Sequence, residues 1–170
     1  MVTNSENMDL ESQNWNIMID INLKINASTQ ISIHDFLVAC DNDFVPKLSD
    51  DLDLYDFSKK IYTHTVRFEA RDNGELVGLL SAYLNDKESG IGFINHISIL
   101  QKYKGNGISN ILMNDCLEYA KRENFNYIRL EVSKNNNIAR KLYEKYGFSL
   151  EKDNQHKLQM IKNLNTGKTP

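Results

Sequence analysis

The sequence predicts an α/β fold, with a mixed, mostly antiparallel sheet and helices on both of its faces. Three observations predict it. Asn73-Gly74 separates two alternating apolar runs, which is a tight-hairpin signal. A strand-like run at 91–100, a helical pattern reaching about residue 123 and an alternating run at 127–132 follow one another. Such a crossover makes its two strands parallel or nearly so. Helical and strand periods are also interleaved along the chain, which layers helices against one sheet.

The elements follow in order. Residues 1–14 are polar and read as a tail. In 15–25, Ile17, Ile19, Ile21, Leu23 and Ile25 recur at every second position, the period of a half-buried strand. Residues 26–30 form a turn. Ser32 is a candidate N-cap, and Ile33, Phe36, Leu37 and Cys40 follow at helical spacing. Residues 41–46 break that helix. A second helix is expected over about 49–63, with Leu52, Tyr55, Phe57, Ile61 and Tyr62 as its apolar surface. Its first turn carries Asp50, Asp51 and Asp53, where the helix dipole favours acid. Strands at 65–70 and 76–84 flank the Asn-Gly turn, and a turn at 85–90 leads to the strand at 91–100. These three strands form an antiparallel meander. The next helix gathers Ile108, Ile111, Leu112, Leu117 and Ala120 on one face. After the strand at 127–132, the polar turn 133–137 precedes a helix over about 137–146, stopped by Gly147. Strands at 148–151 and 158–161 complete one domain spanning 15–162, and 163–170 read as a second tail.

Composition narrows the function classes. A chain of 170 residues suits one domain with a sizeable core. Its 41% hydrophobic and 25% charged residues are ordinary for a globular protein, and a formal net charge of −3 gives no basic surface for general nucleic-acid binding. No apolar run approaches membrane-spanning length. The N-terminus lacks the basic-then-apolar layout of a secretory signal. Cys40 and Cys116 fall within helical patterns, as small buried hydrophobes of a reducing compartment do. Neither they nor the four histidines show metal-ligand spacing. The expectation is a cytoplasmic protein with no metal, no nucleic-acid partner and no membrane.

The informative stretch is Gln101-Lys102-Tyr103-Lys104-Gly105-Asn106-Gly107-Ile108-Ser109, between a strand end and a helix start. Glycine lets a ligand approach the backbone closely. The first N–H groups of a helix lack intrahelical partners and can face an anion. Lys102 and Lys104 add positive charge. This is a candidate phosphate cradle. A nucleotide site of another kind is disfavoured, because neither a Lys-Ser/Thr pair nor the dinucleotide glycine pattern follows.

A second motif lies downstream: Asn136-Asn137-Ile138-Ala139-Arg140-Lys141-Leu142-Tyr143-Glu144-Lys145-Tyr146-Gly147-Phe148. The two together resemble the GCN5-related N-acetyltransferase family over about residues 15–162. That family's pyrophosphate loop reads Arg/Gln-x-x-Gly-x-Gly/Ala, here Lys102-Tyr103-Lys104-Gly105-Asn106-Gly107 with Lys in first place. Its second signature reads Asn-x-x-Ala-x-x-Leu-Tyr-x-x-x-Gly-Phe. The resemblance implies the acyl-CoA N-acyltransferase fold and acetyl-CoA as acetyl donor. The pyrophosphate would lie on N–H groups from Lys102 to Gly107, at the helix start formed by Ile108 and Ser109. Pantetheine would lie where the strands at 91–100 and 127–132 splay apart, against the backbone of Ile97, Ser98 and Ile99. Asn136, Ala139 and Tyr143 would flank the thioester end. The acceptor would be an amine of a small molecule or peptide, and a homodimer is compatible with the resemblance.

The implied chemistry is direct acetyl transfer to an amine. A primary amine has a pKa of about 10, so it must lose a proton. The family often places a Glu for this on the strand before the loop, where this chain has Asn95, which cannot act as a base. His96 is adjacent and titrates near neutrality, but adjacent strand residues face opposite sides. Glu69, Glu131 and a water relay stay open as alternatives. Tyr143 is the expected general acid for the leaving thiolate. A backbone N–H near Ser98 or Ile99 would polarise the carbonyl. Asp41, Asp43 and the acids of 50–56 lean toward a cationic acceptor. Without the strand Glu, a catalytically silent CoA-binding module is the alternative.

Overall fold

The computed structural model describes residues 20–44 and 46–165. Seven strands form one sheet in the order β1-β2-β3-β4-β5-β7-β6. They are β1 (Asn22–Ile25), β2 (Val66–Asp72), β3 (Glu75–Tyr83), β4 (Ile91–Ile99), β5 (Tyr127–Ser133), β6 (Ser149–Asp153) and β7 (Lys157–Asn163). Only β4 and β5 are parallel, and every other neighbouring pair is antiparallel. Asn73 and Gly74, at φ 49° and 85°, make the expected hairpin turn between β2 and β3.

Helices cover both faces. On one, α1 (Gln30–Cys40) supplies Ile33, Phe36, Leu37 and Cys40 to a core shared with Leu76 and Leu79 of β3. On the other, Ile108, Leu112, Met113, Cys116, Leu117 and Ala120 enter the larger core with Phe68, Leu80, Ile94 and Leu130.

Four expectations need adjusting. Of the expected strand at 15–25, residues 15–19 lie outside the described residues, as does the tail at 1–14. Only Asn22–Ile25 is strand, and it is an exposed sheet edge rather than half-buried. Helix α1 starts at Gln30, because Thr29 rather than Ser32 is the cap, accepting the Ser32 N–H at 3.2 Å. The helix expected over 49–63 is two, α2 (Leu48–Asp51) and α3 (Leu54–His64). Leu52 is extended, and Asp53 caps α3 by accepting the Asp56 N–H at 2.9 Å. An aspartate gains more as a cap than inside a helix, so the acidic run breaks the helix instead of opening it. Finally, β7 continues to Asn163 and Leu164 is buried, so the sheet runs into the stretch read as a tail from 163.

The last two helices, α4 (Ile108–Arg122) and α5 (Asn137–Lys145), fall close to their expected bounds. Gly147, at φ 80°, ends the second of them.

Candidate functional site

The phosphate-cradle candidate begins with a single 3-10 turn, Gln101–Tyr103. Tyr103 is buried and its hydroxyl donates to Asp72 at 2.7 Å, which ties the loop to the β2–β3 hairpin. Gly105 and Gly107 have φ of 81° and 76°, and a Cβ added to either would meet nothing within 4 Å. Helices α1, α3 and α5 are capped by the side chains of Thr29, Asp53 and Asn136. Helix α4 is capped by Gly107, which has no side chain to offer. As a result, no backbone N–H from Gly105 to Ser109 donates to another described residue. Five successive free donors beside left-handed glycines make a concavity of the kind that suits an anion.

The lysines do less there than their positions suggest. Lys102 pairs with Glu75 at 3.3 Å, and Lys104 with Asp43 at 2.9 Å. Both ammonium groups are thus already paired, whereas the backbone N–H groups of the loop are not.

Gly78, which the sequence reading passed over, seats this loop. A Cβ there would lie 2.9 Å from Ile99 Cδ1 and 3.0 Å from Ile108 Cγ2. Its bare backbone lets Ile108, the first residue of α4, rest on the sheet. The available signal was a glycine inside an alternating strand run.

Beside the loop the sheet opens. Strands β4 and β5 are in register only over Ile91–Ile94 and Tyr127–Leu130, yet they continue to Ile99 and Ser133. Beyond those pairs, Ile97, Ser98 and Ile99 bond to β3 along one edge only. The register between β3 and β4 also slips, with Ala82 opposite Ile94 and Ser81 opposite His96, so Asn95 is the extra residue of a bulge. The bulge turns His96 and Ser98 toward the α1 and α3 layer.

The candidate catalytic side chains lie on opposite sides of the sheet. His96 is 6% exposed, between Phe44 and Phe57 at ring-centroid distances of 5.7 and 5.9 Å. Burial pushes its pKa down to about 4, so the ring is neutral near pH 7. Its Nε2 is 2.7 Å from Ser98 Oγ. Tyr143 lies on the α4 side, buried edge-on to Phe148 at 6.0 Å. Burial pushes its phenol up to about 12. Asn136 accepts the Ala139 N–H at 3.0 Å, so it serves first as the cap of α5. Tyr146 reaches across to Asn110 and fixes α5 against α4.

The other base candidates are engaged. Glu69 is fully buried and accepts from Ala27 N, Ser28 N and Ser28 Oγ at 3.0, 2.9 and 2.7 Å and from Arg71, an anchor for the turn before α1. Glu131 pairs with Lys157 at 3.5 Å. Most of the acids expected to draw a cationic acceptor also have local work. Asp41 accepts from Ser49, Asp50 from Lys47 N, Asp53 from Asp56 N, and Asp43 holds Lys104. Among the described residues no group of three or more His, Cys, Asp or Glu side chains could hold a metal ion, and no helix is long and apolar enough to cross a membrane.

Comparison with known proteins gives the same fold. An acetyltransferase of the GNAT family from Staphylococcus aureus Mu50 superposes with a TM-score of 0.68 at 17% identity, covering 86% of this chain and 100% of the other. The PaiA N-acetyltransferase of Thermoplasma acidophilum, solved in complex with coenzyme A, gives 0.65 at 12% identity, covering 84% and 99%. A spermidine N-acetyltransferase chimera of Vibrio cholerae SpeG and hSSAT gives 0.65 at 21%, covering 85% and 96%. A search of curated proteins returns no match. The sequence profile described as Acetyltransferase (GNAT) family matches residues 31–148, more than half of the sequence, and the chain belongs to that family.

Proposed function

We propose that the protein is an acetyl-CoA-dependent N-acetyltransferase acting on a primary amine of a small molecule or protein. The observation that carries this reading is the opening between β4 and β5 beyond Ile94 and Leu130, beside the free N–H groups of Gly105 to Ser109. An acyl-CoA has a diphosphate suited to the donors and an amide-containing arm suited to an unpaired strand edge. Bound there, it would supply the acetyl group as a thioester.

The residues then divide the work. The N–H groups of Gly105, Asn106, Gly107, Ile108 and Ser109 hold the diphosphate, with Lys102, Tyr103 and Lys104 shaping the turn before them. The backbone of Ile97, Ser98 and Ile99 aligns the arm and offers an N–H to the carbonyl oxygen. Asn136 and Ala139 form the wall at the start of α5, and Tyr143 donates the proton to departing sulfur. A spermidine N-acetyltransferase among the structural neighbours makes polyamines reasonable first acceptors to try.

The test combines calorimetric titration with CoA and an amine panel read by free-thiol release from acetyl-CoA. Saturable CoA binding with amine-dependent thiol release supports the reading, and absence of CoA binding refutes it. Asn95 stands where the resemblance implies a carboxylate base, and this favours one second reading, a CoA-binding module without transfer activity. CoA binding with no thiol release above hydrolysis across the panel would select that module.

A further inference from the structure

The face of β4 toward α1 and α3 carries a polar line that core packing does not require. Ser81 stands opposite His96 in register, and Ser98 follows two residues on, so the three share a face. His96 is enclosed by Phe44 and Phe57, whereas Ser98 keeps partial exposure. His96 Nε2 and Ser98 Oγ are 2.7 Å apart. Ser98 also belongs to the segment of β4 that β5 has left. The hydroxyl is thus the accessible end of the pair, and the imidazole stands behind it.

We infer that Ser98 takes the proton of the acceptor amine while passing its own hydroxyl proton to His96 Nε2. This rests on the acetyltransferase reading and names the side chain that touches the amine. As the amine nitrogen bonds to the carbonyl carbon, the C–S bond breaks and its electron pair leaves on sulfur. One N–H proton moves to Ser98 Oγ as the Ser98 proton moves to His96 Nε2. The thiolate takes a proton from Tyr143, whose phenolate regains one from solvent before the next turnover. His96 returns its proton to solvent by the reverse route before the next turnover.

The surroundings suit this relay. The ring is unprotonated near pH 7, so Nε2 has a lone pair for the Ser98 proton, and because burial disfavours the imidazolium the proton stays there only transiently. The thiol of Cys40 lies beside Ser98 and burial raises its pKa, so it brings no competing negative charge. Asp43 and Lys104, the charges next to that thiol, pair with each other. Glu69 and Glu131 are held elsewhere. The relay needs Ser98 to donate to Nε2, which fixes the Nδ1–H tautomer.

Two measurements test it. Nitrogen NMR of histidine-labelled protein without ligand should show His96 Nε2 unprotonated at pH 7, with a resonance that moves in Ser98→Ala. In steady-state assays, Ser98→Ala and His96→Gln should each lower kcat by roughly tenfold to a hundredfold, with the KM for acetyl-CoA held within about twofold. The double variant should be no slower than the slower single, because the two act as one unit. A protonated Nε2, a Ser98→Ala enzyme at wild-type kcat, or losses that multiply in the double variant would each overturn the relay alone. A wild-type protein that binds CoA and acetylates no amine would overturn the acetyltransferase reading and the relay with it.

Discussion

Replacing Gly105 and Gly107 singly with alanine separates what the loop backbone does for folding from what it does for a ligand. Both glycines have left-handed φ, and neither added Cβ would meet a neighbour within 4 Å. The folding cost is therefore conformational, about 1–2 kcal/mol for an L-residue in this region. In a chain of this length each kcal/mol lowers Tm by roughly 2–4 °C. Gly74 supplies the control, since its φ is 85° and its surroundings are equally open. It sits at the tip of the β2–β3 hairpin, whose nearest links to the loop are the side-chain contacts of Asp72 with Tyr103 and Glu75 with Lys102, neither made by Gly74 itself. All three alanine variants should lose similar Tm, and only the two loop variants should lose CoA affinity. A hydrogen bond to a charged group contributes about 1.5–3 kcal/mol, so displacing the ligand from one free N–H should raise Kd by about tenfold to a hundredfold. Calorimetric titration below the Tm of every variant reads the affinity, and a thermal melt reads the strain. Loop variants that are destabilised yet bind CoA as the wild type does would refute the placement. A Gly74→Ala protein with equally weakened CoA binding would refute the separation of the two effects.

Three further outcomes are expected. Tyr143→Phe preserves the packing on Phe148 and should lower kcat by roughly tenfold, because a phenol raised to about 12 is a reluctant donor to a thiolate whose conjugate acid lies near 8.5; wild-type kcat would remove Tyr143 from the proton transfer. His96 titrates near 6.5 when unfolded but at about 4 when folded, so below pH 6.5 the unfolded chain binds a proton that the native state refuses. Its contribution is intact above pH 6.5 and is lost as pH falls toward 4, a difference of about 3 kcal/mol in all. Denaturant melts at pH 7 and 4.5 should show the wild type losing about 2–3 kcal/mol more than His96→Gln, and equal losses would contradict a buried neutral ring. Gly92→Ala would place a Cβ 2.5 Å from Leu84 Cδ2 and 2.6 Å from Ile128 Cδ1, so the denaturant midpoint should drop by an amount equivalent to about 1–3 kcal/mol. An unchanged midpoint would mean that the β4–β5 joint yields easily.

The sequence was readable where one local rule governs the backbone. Asn73-Gly74 announced its hairpin, alternation announced β2 to β5, and Gly105 and Gly107 announced the helix start that lacks a side-chain cap. It was unreadable where distant partners decide. Lys102 and Lys104 looked like free cations because nothing nearby in sequence reveals Glu75 and Asp43. Alternation stumbles at Phe93-Ile94-Asn95-His96, a trace of the Asn95 bulge too short to be told from an ordinary irregularity, and the loss of β5 after Ile94 leaves no trace at all. The opening between the strands came from family resemblance alone. His96 looked like an ordinary titrating histidine, because only the folded chain puts Phe44 and Phe57 around it.

The short register between β4 and β5 also bears on how the molecule breathes. Four residue pairs join these strands, whereas seven join β5 to β7. The central seam of the sheet is thus as thinly bonded as its outer β1–β2 and β6–β7 joints, which also hold four pairs each, and sub-global opening concentrates at such joints. Amide hydrogen exchange should be faster across Ile91–Ile94 and Tyr127–Leu130 than along the β5–β7 ladder. A ligand lying along the seam touches strands on both sides and binds only the closed arrangement, so it slows that exchange in proportion to its occupancy. Exchange rates at the seam therefore report on ligand binding without any catalytic turnover.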